Sequence, residues 1–204
     1  MQRQVQRLMH LGLFLLGSGS HVAGWRYPGA VDSFQNIAAI QRIAQTAERG
    51  CFDLIFMGDN LYADPATHPS YTARLEPLTM LAAVAATTRR IGLGATMSTT
   101  YSDPFTVARA FASLDHISQG RAAWNAVTGA NPAAAGNFGR LHPDHTKRYE
   151  IAAEFVGVVR GLWDCWADDA ITADRATGQY VDPARVRSLD WSAPLAVDRL
   201  GDLD

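Results

Sequence analysis

Short apolar segments alternate strictly with segments of helical periodicity, and this alternation limits the fold more than any other feature. Strands are predicted at residues 11–16, 52–57, 91–96 and 121–127. Helices are predicted between and after them, starting at Asp32 or Ser33, at Pro77, at Asp103-Pro104 and at Asp144. Gly50 and Gly120 end the first and third helices, since glycine tolerates the backbone turn that stops a helix. Four strand–helix units in this order predict an α/β fold with a parallel sheet.

The last predicted helix is the longest. Ile151, Phe155, Val158, Leu162 and Trp166 recur at helical spacing, so one apolar face through residue 166 is expected.

Parallel sheets close into (β/α)₈ barrels or stay open and doubly wound, and element order leaves both alternatives open. The first turn, GSGS at residues 17–20, lacks the full G-x-G-x-x-G pattern. A dinucleotide site of the Rossmann type is therefore poorly supported. The sequence also contains no P-loop, no G-x-S-x-G and no H-E-x-x-H motif.

Charge and cysteine usage narrow the class of protein. The formal net charge is -2, which gives no general attraction for nucleic acid or an anionic membrane. Cys51 and Cys165 have neither metal-ligand spacing nor a disulfide framework, so no metal site is predicted. We expect a reduced, cytoplasmic protein.

The amino terminus partly imitates a secretory signal, because Arg3 and Arg7 precede an apolar run. That run is short, contains His10 and is followed by no clear cleavage site. A buried first strand of an unprocessed chain is the favoured interpretation.

Polar residues gather where the predicted strands end. They are Asp59 and Asn60, then Ser98, Thr99 and Thr100, then Asn125 and Thr128. In α/β barrels this rim carries the chemistry, since the βα loops converge there. Taken singly, each residue is better explained as an ordinary loop or helix-capping residue.

Several motifs together resemble one family. They are TAERGCFDLIF (46–56), ATMSTTY (95–101), the stretch from Pro104 to Arg121, WNAVT (124–128), NFG (137–139) and HTKRY (145–149). From about residue 11 to 189 the chain resembles the bacterial-luciferase-like flavin monooxygenases. The last three motifs narrow the resemblance to the nitrilotriacetate and dibenzothiophene-sulfone monooxygenase branch.

The resemblance implies a TIM-barrel fold and a reduced-FMN-dependent monooxygenase. In that family a separate NADH-dependent flavin reductase delivers the FMN, and a flavin peroxide formed with oxygen oxygenates a small organic substrate. The reaction commonly cleaves a C–N or C–S bond. A homo-oligomer with no nucleic-acid or membrane partner is expected.

By motif match, Asp59, Thr96, Asn125, His145 and Tyr149 resemble flavin contacts. The Asn125 amide offers a donor and an acceptor to the isoalloxazine edge, whereas ionised Asp59 only accepts. His145 and Tyr149 share a face near a helix start, where phosphate binds readily. Asn125 as a turn cap and Tyr149 as a packing ring are the structural alternatives.

Members of the family are about twice as long as this chain, as eight βα units require. We therefore expect residues 1–190 to be the N-terminal four units of a truncated barrel, and 191–204 a tail outside the family. Such a chain alone should release hydrogen peroxide instead of oxygenated product. A non-catalytic flavin-binding or assembly-only half-barrel is the alternative, and a deazaflavin-dependent reductase is a weaker one.

Overall fold

The computed structural model describes residues 9–17, 19–31, 36–66 and 68–191. Its strands are β1 (Gly12–Phe14), β2 (Leu54–Met57), β3 (Gly92–Ser98) and β4 (Ala122–Val127). Its helices are α1 (Ile37–Arg49), α2 (Pro69–Thr72), α3 (Pro77–Ala85), α4 (Pro104–Ser118), α5 (Ala135–Phe138) and α6 (His145–Trp163). Short 3₁₀ turns lie at Gly24–Arg26, Pro132–Ala134 and Pro183–Arg185.

The four strands form one parallel sheet in the order β1-β2-β3-β4. Leu13 pairs with Ile55, and Ile55 pairs with Leu93. Ile55 and Leu93 are fully buried, as expected for strands covered on both faces. The prediction of a buried first strand was wrong, since Gly12 and Phe14 of β1 are exposed and Leu13 is only half-buried. The predicted parallel α/β architecture is confirmed, and it is of the TIM-barrel type.

Helix α1 begins later than the sequence indicates. Asn36 caps it, with the side chain accepting from the Ala39 N–H at 3.1 Å. Asp32 and Ser33, the predicted caps, lie outside the described residues. Ile40, Ala44 and Ala47 form a buried apolar face, and Gly50 follows the last turn as predicted.

The connection between β2 and α3 contains the short helix α2, which the sequence analysis does not predict. Helix α3 then begins at Pro77, as predicted, because both carboxylate oxygens of Glu76 accept backbone N–H groups of the first turn. A proline at the first helical position loses no intrahelical hydrogen bond.

Arg121 fixes the start of β4 to neighbouring segments. Its guanidinium donates to the carbonyls of Ser118, Ile91, Ala85 and Thr88 at 2.7–3.2 Å. It also donates to the Thr88 hydroxyl at 3.0 Å. One side chain therefore ties the ends of α3 and α4 to the start of β3.

Glu48, at the end of α1, likewise connects separate segments of the chain. One carboxylate oxygen accepts the successive N–H groups of Arg89, Arg90 and Ile91 at 2.8, 2.5 and 3.1 Å. Burial raises the Glu48 pKa, but these hydrogen bonds and the Arg90 charge outweigh it, so the pKa lies below its ordinary value.

The end of α6 differs from the prediction. The helix stops at Trp163, and Trp166 lies beyond it in an antiparallel bridge with Val186. Trp166 is therefore half-exposed instead of on the buried helical face. A Cβ added at Gly157 would lie 2.8 Å from the Trp191 ring, so this glycine allows the ring to pack on the helix.

The chain divides into two compact units. The first comprises Met1–Thr96 and Ser113–Asn125, and the second Met97–Ala112 and Ala126–Asp204. Ile40, Ile55 and Leu93 are in the core of the first; Phe155 and Val159 are in the core of the second. Across the described part of the chain, no helix is both long and apolar enough to cross a membrane.

Candidate functional site

Two of the predicted flavin contacts meet near the carboxyl ends of the strands in the first unit. The Asn125 Nδ2 donates to Thr96 Oγ1 at 3.0 Å, and Thr96 Oγ1 donates to the Met57 carbonyl at 2.7 Å. Thr96 is 4% exposed, whereas Asn125 is half-buried. This chain of hydrogen bonds fixes the Asn125 amide and leaves its carbonyl oxygen, Oδ1, with no hydrogen-bond partner among the described residues.

The Thr96 hydroxyl is therefore already bonded within the protein and is not placed as a direct ligand contact. Its only hydrogen is donated to Met57, and one lone pair accepts from Asn125. The hydroxyl positions Asn125 at this strand edge, and its flavin contact stays a prediction.

Asp59 follows β2 and is half-buried. One carboxylate oxygen accepts from the Asn60 N–H at 2.8 Å. Burial raises the pKa of Asp59, and the Asn60 N–H and the charge of Arg74 only partly offset that rise. In the described chain no hydrogen bond joins Asp59 to Thr96 or Asn125, so the third predicted residue is near a strand end but not linked to the other two.

Arg74 is a residue of this region that the sequence reasoning missed. Its Nη1 donates to the Gly58 carbonyl at 2.5 Å, and its Nε donates to the Ser70 carbonyl at 3.1 Å. The guanidinium also lies over the Tyr71 ring, 5.0 Å from its centroid. Arg74 thus holds the loop after β2 to α2, a link that no local pattern indicates.

In the second unit, His145 is the first residue of α6 and Tyr149 lies one turn later. Their ring centroids are 4.9 Å apart, which confirms that they share a face. Both side chains are exposed. The Asp144 carboxylate caps the helix by accepting from the Lys147 N–H at 2.8 Å, so a negative charge already occupies this helix start.

The hydroxyls at the end of β3 and directly after it bind backbone groups. Thr99 and Thr100 donate to the carbonyls of Val127 and Thr128 at 3.2 and 2.7 Å. Ser98 Oγ accepts from the Thr100 N–H at 3.1 Å. All three side chains are buried, so this polar cluster fixes the loop after β3.

Tyr101, His142 and Arg148 form a hydrogen-bonded group in the second unit that the sequence reasoning also missed. The Tyr101 hydroxyl lies 2.6 Å from His142 Nδ1, and Arg148 Nη1 lies 2.8 Å from His142 Nε2. The Tyr101 ring stacks on Phe138 with centroids 4.9 Å apart. A tyrosine in a strand-end loop and a histidine before the next long helix were the available signals, but only the fold brings them together.

Comparison with known proteins then decides the family. Residues 9–196 match the model of the luciferase-like monooxygenases. The chain belongs to the luciferase-like monooxygenase family.

Curated luciferase-like monooxygenases resemble the chain over most of its length. An N-acetyl-S-(2-succino)cysteine monooxygenase of Bacillus subtilis is 47% identical, over 91% of this chain and 42% of the relative. A dibenzothiophene-sulfone monooxygenase of Rhodococcus erythropolis is 43% identical, over 91% and 44%. Nitrilotriacetate monooxygenase component A of Aminobacter aminovorans is 45% identical, over 84% and 41%. The branch indicated by the motifs is confirmed.

A solved structure agrees with the sequence relatives. The riboflavin lyase crystallised with modified FMN and riboflavin has a TM-score of 0.83 and 32% identity, covering 93% of this chain and 45% of that chain. This chain thus spans less than half the length of the relatives it matches.

Proposed function

We propose that this chain supplies one part of the flavin site of a reduced-FMN-dependent monooxygenase that oxygenates a small organic substrate. The observation that carries the proposal is the hydrogen-bond chain from Asn125 through Thr96 to Met57, in a member of the luciferase-like family. It holds a primary amide in one orientation near the carboxyl ends of the strands, where α/β barrels bind ligands.

The polar groups of the first unit fit the pyrimidine edge of an isoalloxazine. That edge presents an N–H donor between two carbonyl acceptors, and the Asn125 amide can offer both an acceptor and a second N–H. Asp59 adds a carboxylate acceptor, with one oxygen already committed to Asn60. Pre-orientation by Thr96 lowers the entropy that Asn125 would lose on binding.

His145 and Tyr149 suit the ribityl or phosphate part of FMN. Both rings are exposed at the start of α6, and each side chain carries a hydrogen-bond donor. The carboxylate of Asp144 opposes a phosphate at the helix terminus, so contacts from the two side chains would have to outweigh that repulsion.

When bound and reduced, FMN supplies the oxygen-activating chemistry that the side chains cannot perform. The residues of this chain bind and orient it. The names of the sulfone, succinocysteine and nitrilotriacetate relatives favour a substrate cleaved at a C–S or C–N bond. A separate NADH-dependent flavin reductase would deliver the cofactor. Three further expectations stay predictions: homo-oligomerisation, a cytoplasmic location, and the division into residues 1–190 and 191–204.

The test is an anaerobic titration of the pure chain with reduced FMN, FAD and NADH. Reduced FMN should bind best, and Asn125→Ala should weaken it about tenfold, as expected for about 1.4 kcal/mol of lost hydrogen bonding. Asn131→Ala is the matched control, because Asn131 only caps a 3₁₀ turn and is exposed. Preferential binding of NADH, or equal FMN binding by both variants and the parent, would contradict the proposal.

A further inference from the structure

Tyr101 and His142 lie in loops that follow two strands, and Arg148 lies near the start of α6. Tyr101 comes three residues after the end of β3, and His142 precedes α6 in the long connection after β4. Arg148 is in the first turns of α6, where its Nη1 donates to His142 Nε2 at 2.8 Å and to the Pro143 carbonyl at 2.9 Å. The three side chains thus form one continuous path of hydrogen bonds within the second unit.

The donor and acceptor roles along this path have one solution. Arginine has only N–H donors, so His142 Nε2 must be the acceptor and carries no hydrogen. The hydrogen of a neutral imidazole is then on Nδ1, which donates to the Tyr101 oxygen. The hydrogen of the Tyr101 hydroxyl is consequently not used within the group, and no other described residue accepts it.

The surroundings agree with these protonation states. Burial lowers the pKa of His142, and the Arg148 charge lowers it further, which favours the neutral imidazole. Burial raises the pKa of Tyr101 despite the nearby Arg148 charge, so the phenol keeps its hydrogen. Tyr101 is 4% exposed, and a buried hydroxyl hydrogen without an acceptor is unfavourable.

The environment also fixes the phenol in place. Its ring stacks on Phe138. On another side the ring lies close to Gly129, which has a φ of +66° and no side chain. A Cβ at Gly129 would lie 3.3 Å from the Tyr101 ring. The hydroxyl therefore cannot easily turn away to another partner.

We propose that the Tyr101 hydroxyl donates a hydrogen bond to an anionic oxygen of a bound ligand, with His142 and Arg148 as positioning residues. An anion is favoured because the path starts at the Arg148 cation, which makes no carboxylate contact among the described residues and polarises each successive donor. The inference rests on the proposed function, which supplies two candidate sources of that anionic oxygen. They are a phosphate of FMN and a carboxylate of a substrate.

The first experiment determines the histidine tautomer by ¹⁵N NMR of the full 204-residue chain. His142, assigned by its loss in His142→Asn, should be neutral with hydrogen on Nδ1 at pH 7. Protonation at Nε2 would commit the Tyr101 hydrogen to Nδ1 and overturn the inference.

The second experiment follows the ¹³Cζ signal of Tyr101, assigned with Tyr101→Phe, during titration with FMN, riboflavin and nitrilotriacetate. A shift with FMN but not riboflavin identifies phosphate as the source, and a shift with nitrilotriacetate identifies a carboxylate. No shift with any probe overturns the inference. Flavin fluorescence, read in the same samples, tests the proposed function separately, since FMN binding without a Tyr101 response contradicts only the inference.

Variants then test the roles of the three residues. Tyr101→Phe should weaken the responding probe about tenfold, the loss expected for one hydrogen bond to a charged group. Tyr180→Phe is the control, because Tyr180 is exposed in a hairpin of the same unit. His142→Asn retains a donor at the Nδ1 position and should preserve most binding, whereas His142→Gln should behave like Tyr101→Phe. Equal binding by Tyr101→Phe and the parent would overturn the inference.

Discussion

The Asn125 side-chain amide is held by the Thr96 hydroxyl at 3.0 Å, and that hydroxyl is itself held by the Met57 carbonyl at 2.7 Å. One buried threonine on β3 therefore links β2 to β4 and orients the amide that we propose for flavin binding. Because Thr96 has a single hydrogen, its orientation cannot reverse without losing the bond to Met57.

Thr96→Val should separate positioning from direct contact. The substitution keeps the shape but removes the hydroxyl, so the nearly buried Met57 carbonyl loses a partner and stability should fall by about 1–3 kcal/mol. FMN affinity should fall because the Asn125 amide is free to rotate. Urea unfolding and FMN titration measure the two effects.

Thr46→Val is the control for that change, since Thr46 is exposed on α1 and bonds within its own helix. It should change stability by less than about 0.5 kcal/mol. Undiminished stability and FMN affinity in Thr96→Val would show that the hydrogen-bond chain has no positioning role.

Asp59→Asn should stabilise the protein at neutral pH while weakening flavin binding. Burial raises the pKa of Asp59 above its ordinary value of 3.8, so ionisation favours the unfolded chain as pH rises past that value. The stabilisation by asparagine should be absent well below pH 3.8, where both states are protonated, and complete above the folded-state pKa. Thermal unfolding of both proteins across pH measures the difference; a gain in stability that grows toward low pH would contradict the assigned cause.

Arg121→Lys should be strongly destabilising although it keeps the charge. Lysine cannot reproduce the planar set of donors that reaches Ser118, Ile91, Ala85 and Thr88. We expect a loss of about 2–3 kcal/mol in the free energy of unfolding, measured by urea denaturation. Arg175→Lys, in an exposed segment, should leave that free energy unchanged, and an equal effect of both variants would refute the proposed clamp.

Gly157→Ala should displace the Trp191 ring from α6. An added Cβ would lie 2.8 Å from the ring, while alanine favours the helix itself by about 1 kcal/mol. The expected result is little global destabilisation but faster tryptic cleavage after Arg187. Gly136→Ala is the matched control because open space surrounds that glycine; identical cleavage rates in the two variants would exclude the packing role of Gly157.

The sequence predicted elements well where the signal was local. The strand positions, the Asp144 cap and the alignment of His145 with Tyr149 follow from periodicity and capping chemistry over a few residues. The helix through Trp166 was wrong, because a residue can match helical spacing and still pair with a later segment. The short helix α2 was missed, since four residues give too little periodicity to detect.

By itself, the sequence determined the order of four strand–helix units, the family, and the strand ends at which polar residues gather, because these depend on local patterns and on motifs in order. The tertiary structure alone decided which polar atoms meet. Thr96 and Met57 are 39 residues apart and Tyr101 and His142 are 41 apart, so their hydrogen bonds exist only after the strands pair. A hydroxyl or an imidazole has several possible partners in sequence, and packing at near-van der Waals distances selects one of them.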